Sequence, residues 1–591
     1  VKISLPHCDS LSGEAGRRRR QRSLMLASVG IVLLPLAWRG PSCGHDFDFH
    51  LESWLEVVRQ WHQAFSGGGA FYPHWVGSAN YGAGEPRFVF YPPLSWALGA
   101  LLGLLLPWTW APLAFTLLAL LAMAASFFHM AREWMPEDNA ALAACLYVIN
   151  PYVLFVAYER TAYGELLAGA WLPLLVLYAL RRTPGLVPLA LTVAAIWLTN
   201  APGAVMGCYA MALLVLWTAI AERRWMLLAR AVGATALGLG LAAFYLAPAI
   251  YEQRWVEIAR AIGSGMRVED SFLFGHTGEP FHDQVLHTAS WIAVVLLIAT
   301  AAAAMLSRRY EEARPVSQSS ATLRDGMIAL AAMIACLLLP FSDAVWRYAP
   351  ELRFLQFPWR WLLVLGMIAS LLAGFCLRGE VRRQRDISLR TGVVLMLACA
   401  MSGLACISFW QPCDDEDNVH AQLATFHAGG FEGTDEYTSA PADNGDIQQG
   451  LPQIRVLREA GGDEADSSVA ENPAWQASMS NLQPSQIHIE RWGVERMTAT
   501  VDTSAPAFAV LRLMDYPAWQ VRVNGRMVSS RPRREDGLMV APIPAGHAQI
   551  DVRYAATADV WVGRLVSLVC IVFFLICFPK QVGWGPRQQV S

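Results

Sequence analysis

The chain has 591 residues, 55% of them hydrophobic and only 16% charged, with 45 basic against 48 acidic side chains and a formal net charge of −3. A mean hydropathy of +0.34 suits a polytopic membrane protein and not a soluble one. Near-neutral charge without a basic stripe gives no support to a nucleic-acid partner.

In chain order, the cluster Arg17–Arg20 precedes an apolar run at 23–39. This resembles a signal peptide, but Trp38-Arg39-Gly40-Pro41 follows where a small-residue cleavage site would stand, so an uncleaved first helix is expected. Further runs of spanning length lie near 109–131, 139–157, 165–180, 186–200, 203–221, 230–248, 288–306, 326–342, 358–377, 390–410 and 558–578. One shorter run, 92–106, opens with Pro92-Pro93, and the positive-inside bias decides whether it crosses. If it does not, Arg181-Arg182, Arg223-Arg224, Arg308-Arg309, Arg382-Arg383-Arg385, Lys580 and Arg587 all fall on the side of Arg17–Arg20. If it does, every one of them falls outside. The run 92–106 therefore reads as a juxtamembrane or re-entrant helix, with about twelve crossings and both termini cytoplasmic.

The expected architecture is a polytopic α-helical membrane protein with a C-terminal extracytoplasmic β-sandwich. Residues 1–22 form a cytoplasmic N-terminus and 23–410 a transmembrane domain with outer loop 40–91. Residues 411–483, rich in Asp, Glu, Gly, Ser and Gln, read as loop. Residues 484–556 form the sandwich, 557–579 the final helix and 580–591 a cytoplasmic tail. The strands are read from period-2 alternation in IHIERW, MTATVDT, FAVLRL, WQVRVNG, LMVAPI and AQIDVRY. Asn524-Gly525 and Pro544-Ala545-Gly546 are turn signals between them. The same topology places 40–91, 158–164, 249–287, 343–357 and 411–557 outside. The eleven cysteines show no C-x-x-C or zinc spacing. Cys43 and Cys413 both emerge on the outer side, and whether they pair is open, because sequence does not show proximity.

The first outer loop concentrates acidic, aromatic and histidine side chains. Phe47, Leu51, Trp54, Leu55, Val58, Trp61 and Phe65 recur at helical spacing, which predicts an amphipathic helix on the membrane surface, ended by Gly67-Gly68-Gly69. Asp46 and Asp48 form a D-x-D just after the first crossing. In extended chain both would face one cavity or one metal ion; the alternative is that they open a helix. Glu159, Arg160 and Glu165 are a second charged group at the outer ends of two helices, where they either line a cavity or snorkel. Arg87, after Glu85, and Arg353 and Arg360 could clamp a phosphate through forked hydrogen bonds or could anchor the interface. There is no Walker or dinucleotide glycine pattern, so no nucleotide cofactor is expected.

The stretches GHDFDFHLESW, ANYGAGEPRFVFYPP, ERTAYGELLAGAWLPL, RFLQFPWRW and YPAWQVRVNG…PIPAGHAQIDVRY resemble bacterial integral membrane proteins labelled 6-pyruvoyl-tetrahydropterin synthase-related. That label is a domain name and does not imply pterin chemistry. The architecture of the family is similar to that of GT-C glycosyltransferases, which use polyprenyl-phosphate sugars. The resemblance implies that Asp46 and Asp48 supply the base or bind Mg²⁺ or Mn²⁺. A later acidic site maps onto Glu159 or Glu165. His50, Glu85, Arg87, Arg160, Arg353 and Arg360 are then candidates for holding the donor and its phosphate. The implied partners are a polyprenyl-phosphate sugar donor, a glycan, lipid or protein acceptor, and membrane lipids, at the outer face of the bacterial inner membrane. The tryptophan-rich acceptor motif of oligosaccharyltransferases is missing, which speaks against N-glycosylation. A flippase of lipid-linked saccharide and a non-catalytic envelope scaffold are the alternatives.

Overall fold

The computed structural model describes residues 8–65, 68–181, 185–263, 266–313, 317–376, 384–440, 442–447, 449–457 and 486–581. Arg182, Arg382, Arg383 and Arg587 of the orienting basic clusters, Gly67 and the stretch 458–485 lie outside them.

Among the described residues, nine helices are long and apolar enough to cross a membrane, from Ala15–Arg39 to Ala558–Ile576. Two bent pairs bring the number to eleven: Glu137–Val148 with Pro151–Tyr158, bent by 42°, and Met226–Leu241 with Ala243–Trp255, bent by 77°. The first break has a local cause. Asn150 caps the second helix by accepting from the amides of Tyr152 and Val153, both at 3.1 Å, and Pro151 follows at the first helical position. The expected crossing at 186–200 is a helix of only 12 residues, Leu186–Trp197, shorter than a hydrocarbon core requires. It nevertheless returns the chain to the level of Gly164, beside the Thr199 carbonyl, and Trp171 Nε1 donates to Thr199 Oγ1 at 2.9 Å. Pro93–Leu105 is likewise a short apolar helix of 13 residues. Leu565, Leu568 and Val569 of the last helix are more than half exposed, as side chains facing lipid should be.

Segments far apart in sequence meet at one end of this bundle. Cys43 and Cys413, 370 residues apart, form a disulfide. Ser42 Oγ donates to the Tyr158 carbonyl at 2.6 Å and accepts from the Gln411 amide at 2.8 Å. Val256 bridges to Ser439, and Gln356 donates to the Ala261 carbonyl. The pieces 40–91, 158–164, 249–287, 343–357 and the region after 411 are thus one layer.

The β domain consists of two antiparallel sheets, β1-β4-β7 and β2-β3-β8-β5-β6. The strands are β1 (Ile454–Leu457), β2 (Ile487–Trp492), β3 (Arg496–Thr503), β4 (Ala507–Met514), β5 (Trp519–Val523), β6 (Arg526–Met527), β7 (Leu538–Ile543) and β8 (Gly546–Tyr554). Val456, Leu511 and Val540 of one sheet share a buried cluster with Val501, Val521 and Ile550 of the other. Each of the six alternating runs forms a strand, and Asn524-Gly525, both with positive φ, turns β5 into β6. Two elements correct the reading of 411–483 as loop: β1, all four residues of which are buried, and a helix at Val419–Ala428. A four-residue strand without alternation carries no periodic signal.

The first-loop helix spans Phe47–Ala64, but it does not lie on a membrane surface. Both of its faces are buried, Glu52 and Glu56 included, between the Pro93–Leu105 helix and the Val419–Ala428 helix. Its acids are tolerated because each has partners. Glu56 accepts from Arg59 at 2.7 Å, Gln60 at 2.8 Å, the Gly77 amide at 3.2 Å and Ser78. Burial alone would push its pKa up, but Arg59 and these hydrogen bonds hold it below the ordinary value.

Replacing Cys43 and Cys413 together by serine should lower stability by about 2–4 kcal/mol, the usual weight of a native bridge. Thermal unfolding in nanodiscs checks this: reductant should lower the wild-type midpoint and leave that of the double variant unchanged.

Candidate active site

The site is assembled where two loops run side by side. The amide of His45 donates to the Glu159 carbonyl at 3.1 Å and that of Asp46 to the Arg160 carbonyl at 2.9 Å. A Cβ at Gly44 would fall on the Glu159 carbonyl, so glycine alone permits this approach. Thr161 turns the second loop with φ of +49°.

This pairing brings four of the predicted residues into one cluster. Arg160 bonds Glu165 Oε2 through Nη1 at 2.5 Å and Asp46 Oδ2 through Nη2 at 3.3 Å. Tyr152 donates to the other Glu165 oxygen at 2.6 Å. Arg360 Nε stands 3.8 Å from Glu165, beyond hydrogen-bond reach, while its Nη2 donates to Gln356 at 3.3 Å. The Arg160 guanidinium packs over the Trp359 ring at 5.0 Å. Burial opposes the Arg160 charge, but Glu165 and then Asp46 outweigh it and raise its pKa further. Glu165 and Arg160 are almost fully buried, whereas 39% of the Asp46 side chain is open. The Nε–H of Arg360 is buried with no acceptor.

Glu159 is buried with one carboxylate oxygen unpartnered, and this burial lifts its pKa to about 8 against the pull of Arg160. His50 sits behind the cluster among Phe49, Trp54, Tyr91 and Tyr163, with ring centroids 5.2 Å from Tyr163 and 5.7 Å from Tyr91. Burial lowers its pKa to about 4, which favours the neutral ring in this aromatic surrounding.

Asp48 does not join Asp46. The helix begins at Phe47, so the D-x-D is not extended, and positions two apart on a helix point about 200° away from each other. Asp48 is exposed on the rim, where its carboxyl accepts from the Phe49 amide at 2.7 Å. Shielding by the surrounding chain, more than the charge of Asp46, raises its pKa. Among the described residues no group of three His, Cys, Asp or Glu side chains could hold a metal ion. Asp46 is engaged by Arg160, and Asp48 stands apart on the rim.

Glu85 and Arg87 belong to a separate, fully buried clamp. Arg87 donates to Glu85 at 2.6 Å, Ser53 Oγ at 3.1 Å, the Phe49 carbonyl at 3.3 Å and Thr434 Oγ1 at 3.1 Å. Glu85 also accepts from the Thr434 amide at 2.7 Å. These bonds tie the first loop to the segment before the β domain and occupy the Arg87 guanidinium with protein partners. Arg353 is exposed and packs on its neighbour Phe354, apart from both clusters. The sequence offered no sign of Tyr152, Trp359 or Thr434. Each is an ordinary residue of its own element and acquires its role only through tertiary contact.

The fold and this buried charged layer define a polytopic membrane protein with an appended β domain. Residues 88–411, more than half of the chain, match the family described as 6-pyruvoyl-tetrahydropterin synthase related domain, a membrane protein, and the chain belongs to that family. No curated protein matches the sequence. Among solved structures it is similar to a mutant form of arabinofuranosyltransferase AftD from Mycobacteria, with 14% identity, TM-score 0.44, and coverage of 91% of this chain and 42% of that one. The chain thus spans about two fifths of that neighbour. It is also similar to the oligosaccharyltransferase of Archaeoglobus fulgidus, with 15% identity, TM-score 0.30, and 67% and 54% covered. A third likeness is to ArnT from Cupriavidus metallidurans bound to undecaprenyl phosphate, with 11% identity, TM-score 0.26, and 60% and 77% covered.

Glu159 carries a pH prediction. Its pKa is raised in the fold, so the native state binds a proton more tightly than the unfolded chain. Stability should therefore fall as pH rises from the ordinary glutamate range through about 8. Thermal midpoints measured across that range should slope downward for the wild type and be flatter for Glu159→Gln.

Proposed function

We propose that the protein is a membrane glycosyltransferase. It moves a sugar from a polyprenyl-phosphate donor to a glycan, lipid or protein acceptor of the cell envelope, on the extracytoplasmic face of the cytoplasmic membrane. The observation that carries this reading is the setting of Asp46. It is a carboxylate reachable from solvent, held by a buried and permanently charged Arg160, beside Glu159 and Glu165, which are both buried.

In this reading Asp46 takes the proton of the acceptor hydroxyl as its oxygen attacks the anomeric carbon. The bond from that carbon to the phosphate oxygen breaks, and its electron pair leaves with the polyprenyl phosphate. Arg360 meets the departing charge with its partnerless Nε–H, and Arg160 adds a second fixed positive charge. Glu165 is a positioning residue: it holds Arg160, with Tyr152 fixing its own orientation. These steps use side chains alone. The Cys43–Cys413 disulfide supports the assignment of side, because such bridges persist in an oxidising compartment. The basic clusters independently favour the same orientation.

Transfer from a polyprenyl-phosphate sugar, measured with the protein in nanodiscs, tests the proposal. Asp46→Asn should lose about 10²–10⁴-fold in kcat, the usual weight of a general base, while folding is kept. Asp48→Asn should stay within a few fold of wild type, roughly the effect of altering one exposed charge. Undiminished transfer by Asp46→Asn, or absence of transfer in the wild type with every donor and acceptor class supplied, would overturn the assignment.

A further inference from the structure

A second polar site lies on the other side of the Arg87 clamp, outside the Asp46 cluster. Asn80 and Tyr81 both adopt left-handed backbone conformations, with φ of +50° and +51°. Two adjacent non-glycine residues in that region store strain, which surrounding structure must hold in place. Here it is held by the segment after the Val419–Ala428 helix. The Tyr81 amide donates to the Phe431 carbonyl at 2.9 Å, and the Phe431 amide to the Ser78 carbonyl at 3.0 Å. Asn444 Nδ2 donates to Asn80 Oδ1 at 3.3 Å, and Asn80 Nδ2 to the Gly84 carbonyl at 3.1 Å.

The strained pair opens onto a cavity of about 350 Å³, within the usual range for small-ligand sites. Asn80, Tyr81, Glu432, Asn444 and Gln449 line it, with Gly433 and Gly445 bringing backbone to its wall. Asn444 is 94% buried, yet its Oδ1 has no hydrogen-bond partner. A buried acceptor left unpaired costs about 1–3 kcal/mol.

The lining selects the chemistry of a ligand there. Among the described residues it contains no Arg, Lys or His and one carboxylate, which disfavours phosphate and other anions. It has too little apolar surface to take an acyl chain. Three amides, one carboxylate and one phenol offer both donors and acceptors beside a ring face, which matches a neutral polyol. The wall is also tied to the reacting loop. Thr434, two residues beyond Glu432, is bonded to Glu85 and Arg87, and Arg87 holds Phe49 and Ser53 of the helix that begins next to Asp46.

We infer that the cavity between Asn80–Tyr81 and Glu432–Gln449 is a saccharide subsite, holding an outlying sugar of the acceptor glycan while its terminal hydroxyl meets Asp46. This inference rests on the glycosyltransferase reading for the identity of the saccharide as acceptor, but the subsite binds sugar whether or not transfer occurs.

The experiment uses the full chain in nanodiscs. Saturation-transfer difference NMR is recorded with neutral tetrasaccharides of pentoses and of hexoses, and calcium chloride is titrated separately. Glu432→Ala and Gln449→Ala alter exposed side chains and should leave the fold intact; Asn444→Leu removes the buried acceptor. At least one tetrasaccharide should bind the wild type. Each variant should weaken it by roughly tenfold, the weight of a hydrogen bond or two. Asp46→Asn should bind it as well as wild type. Where transfer is measurable, the three cavity variants should raise acceptor KM by the same factor, with kcat and donor KM unchanged. Sugar binding without transfer would sink the enzyme reading and leave the subsite standing. Transfer with acceptor KM and sugar binding unaltered in all three variants would overturn the subsite and leave the enzyme. No binding of any tetrasaccharide, or binding of calcium alone that the same variants abolish, would also overturn it.

Discussion

One guanidinium, kept charged out of water, organises the loop-bearing end of this protein. Burying an ion costs several kcal/mol even after the surroundings relax. Arg160 is tolerated because Glu165 sits at 2.5 Å and Asp46 at 3.3 Å, with Tyr152 bracing Glu165 from behind. Such a network adds little net stability compared with an apolar core of the same volume. What it provides is position. With Asp46 bonded by side chain to Arg160 and by backbone to the Arg160 carbonyl, the carboxylate has almost no freedom to move. A base that must meet one hydroxyl gains from that restriction, since misplacement by about an ångström is enough to lose most of the benefit of proximity.

The same logic recurs around Arg87, with a different outcome. That side chain is as buried as Arg160, but it bonds to groups from three stretches of chain: Phe49 and Ser53, Glu85, and Thr434. Because the clamp reaches position 434, the first loop and the segment leading into the β domain move as one piece. The Glu252–Tyr516 and Glu252–Thr557 hydrogen bonds anchor the other flank of the β domain to the helix Ala243–Glu252 and to the residue before the last span. The β domain is thereby fixed over the loops at two separated places, and a rigid layer results.

Much of the fold was legible because membrane spans and exposed strands advertise themselves by period and composition. The six alternating runs each became strands, and the apolar runs became helices. Two signals were weaker. The helix Leu186–Trp197 is shorter than its apolar run because Gly185 and Asn200 bound it, so a hydropathy reading overstated its length. The strand Ile454–Leu457 is buried along its whole length and has no alternation to detect. For the candidate residues, the sequence did not show which of them meet. Asp46, Arg160, Glu165 and Arg360 converge, whereas His50, Glu85 and Arg87 are packing and clamping residues. Burial and partner saturation separate the two sets, and neither can be read from residue type.

The D-x-D shows local geometry choosing between two readings, since Asp46 stands at the N-cap of the helix that begins at Phe47. Its reading as a metal site assumed an extended chain, in which alternate side chains share a face. The helix starts one residue too early for that, and Asp48 is carried round to the rim. In the proposed reaction, departure of a phosphate requires positive charge nearby, and side chains can supply it. Arg360 has the property this task demands, a buried donor that no protein group satisfies, next to an Arg160 whose charge is already compensated. In the proposed reaction, a phosphate brought beside Arg360 would offer that donor an acceptor which no described residue provides.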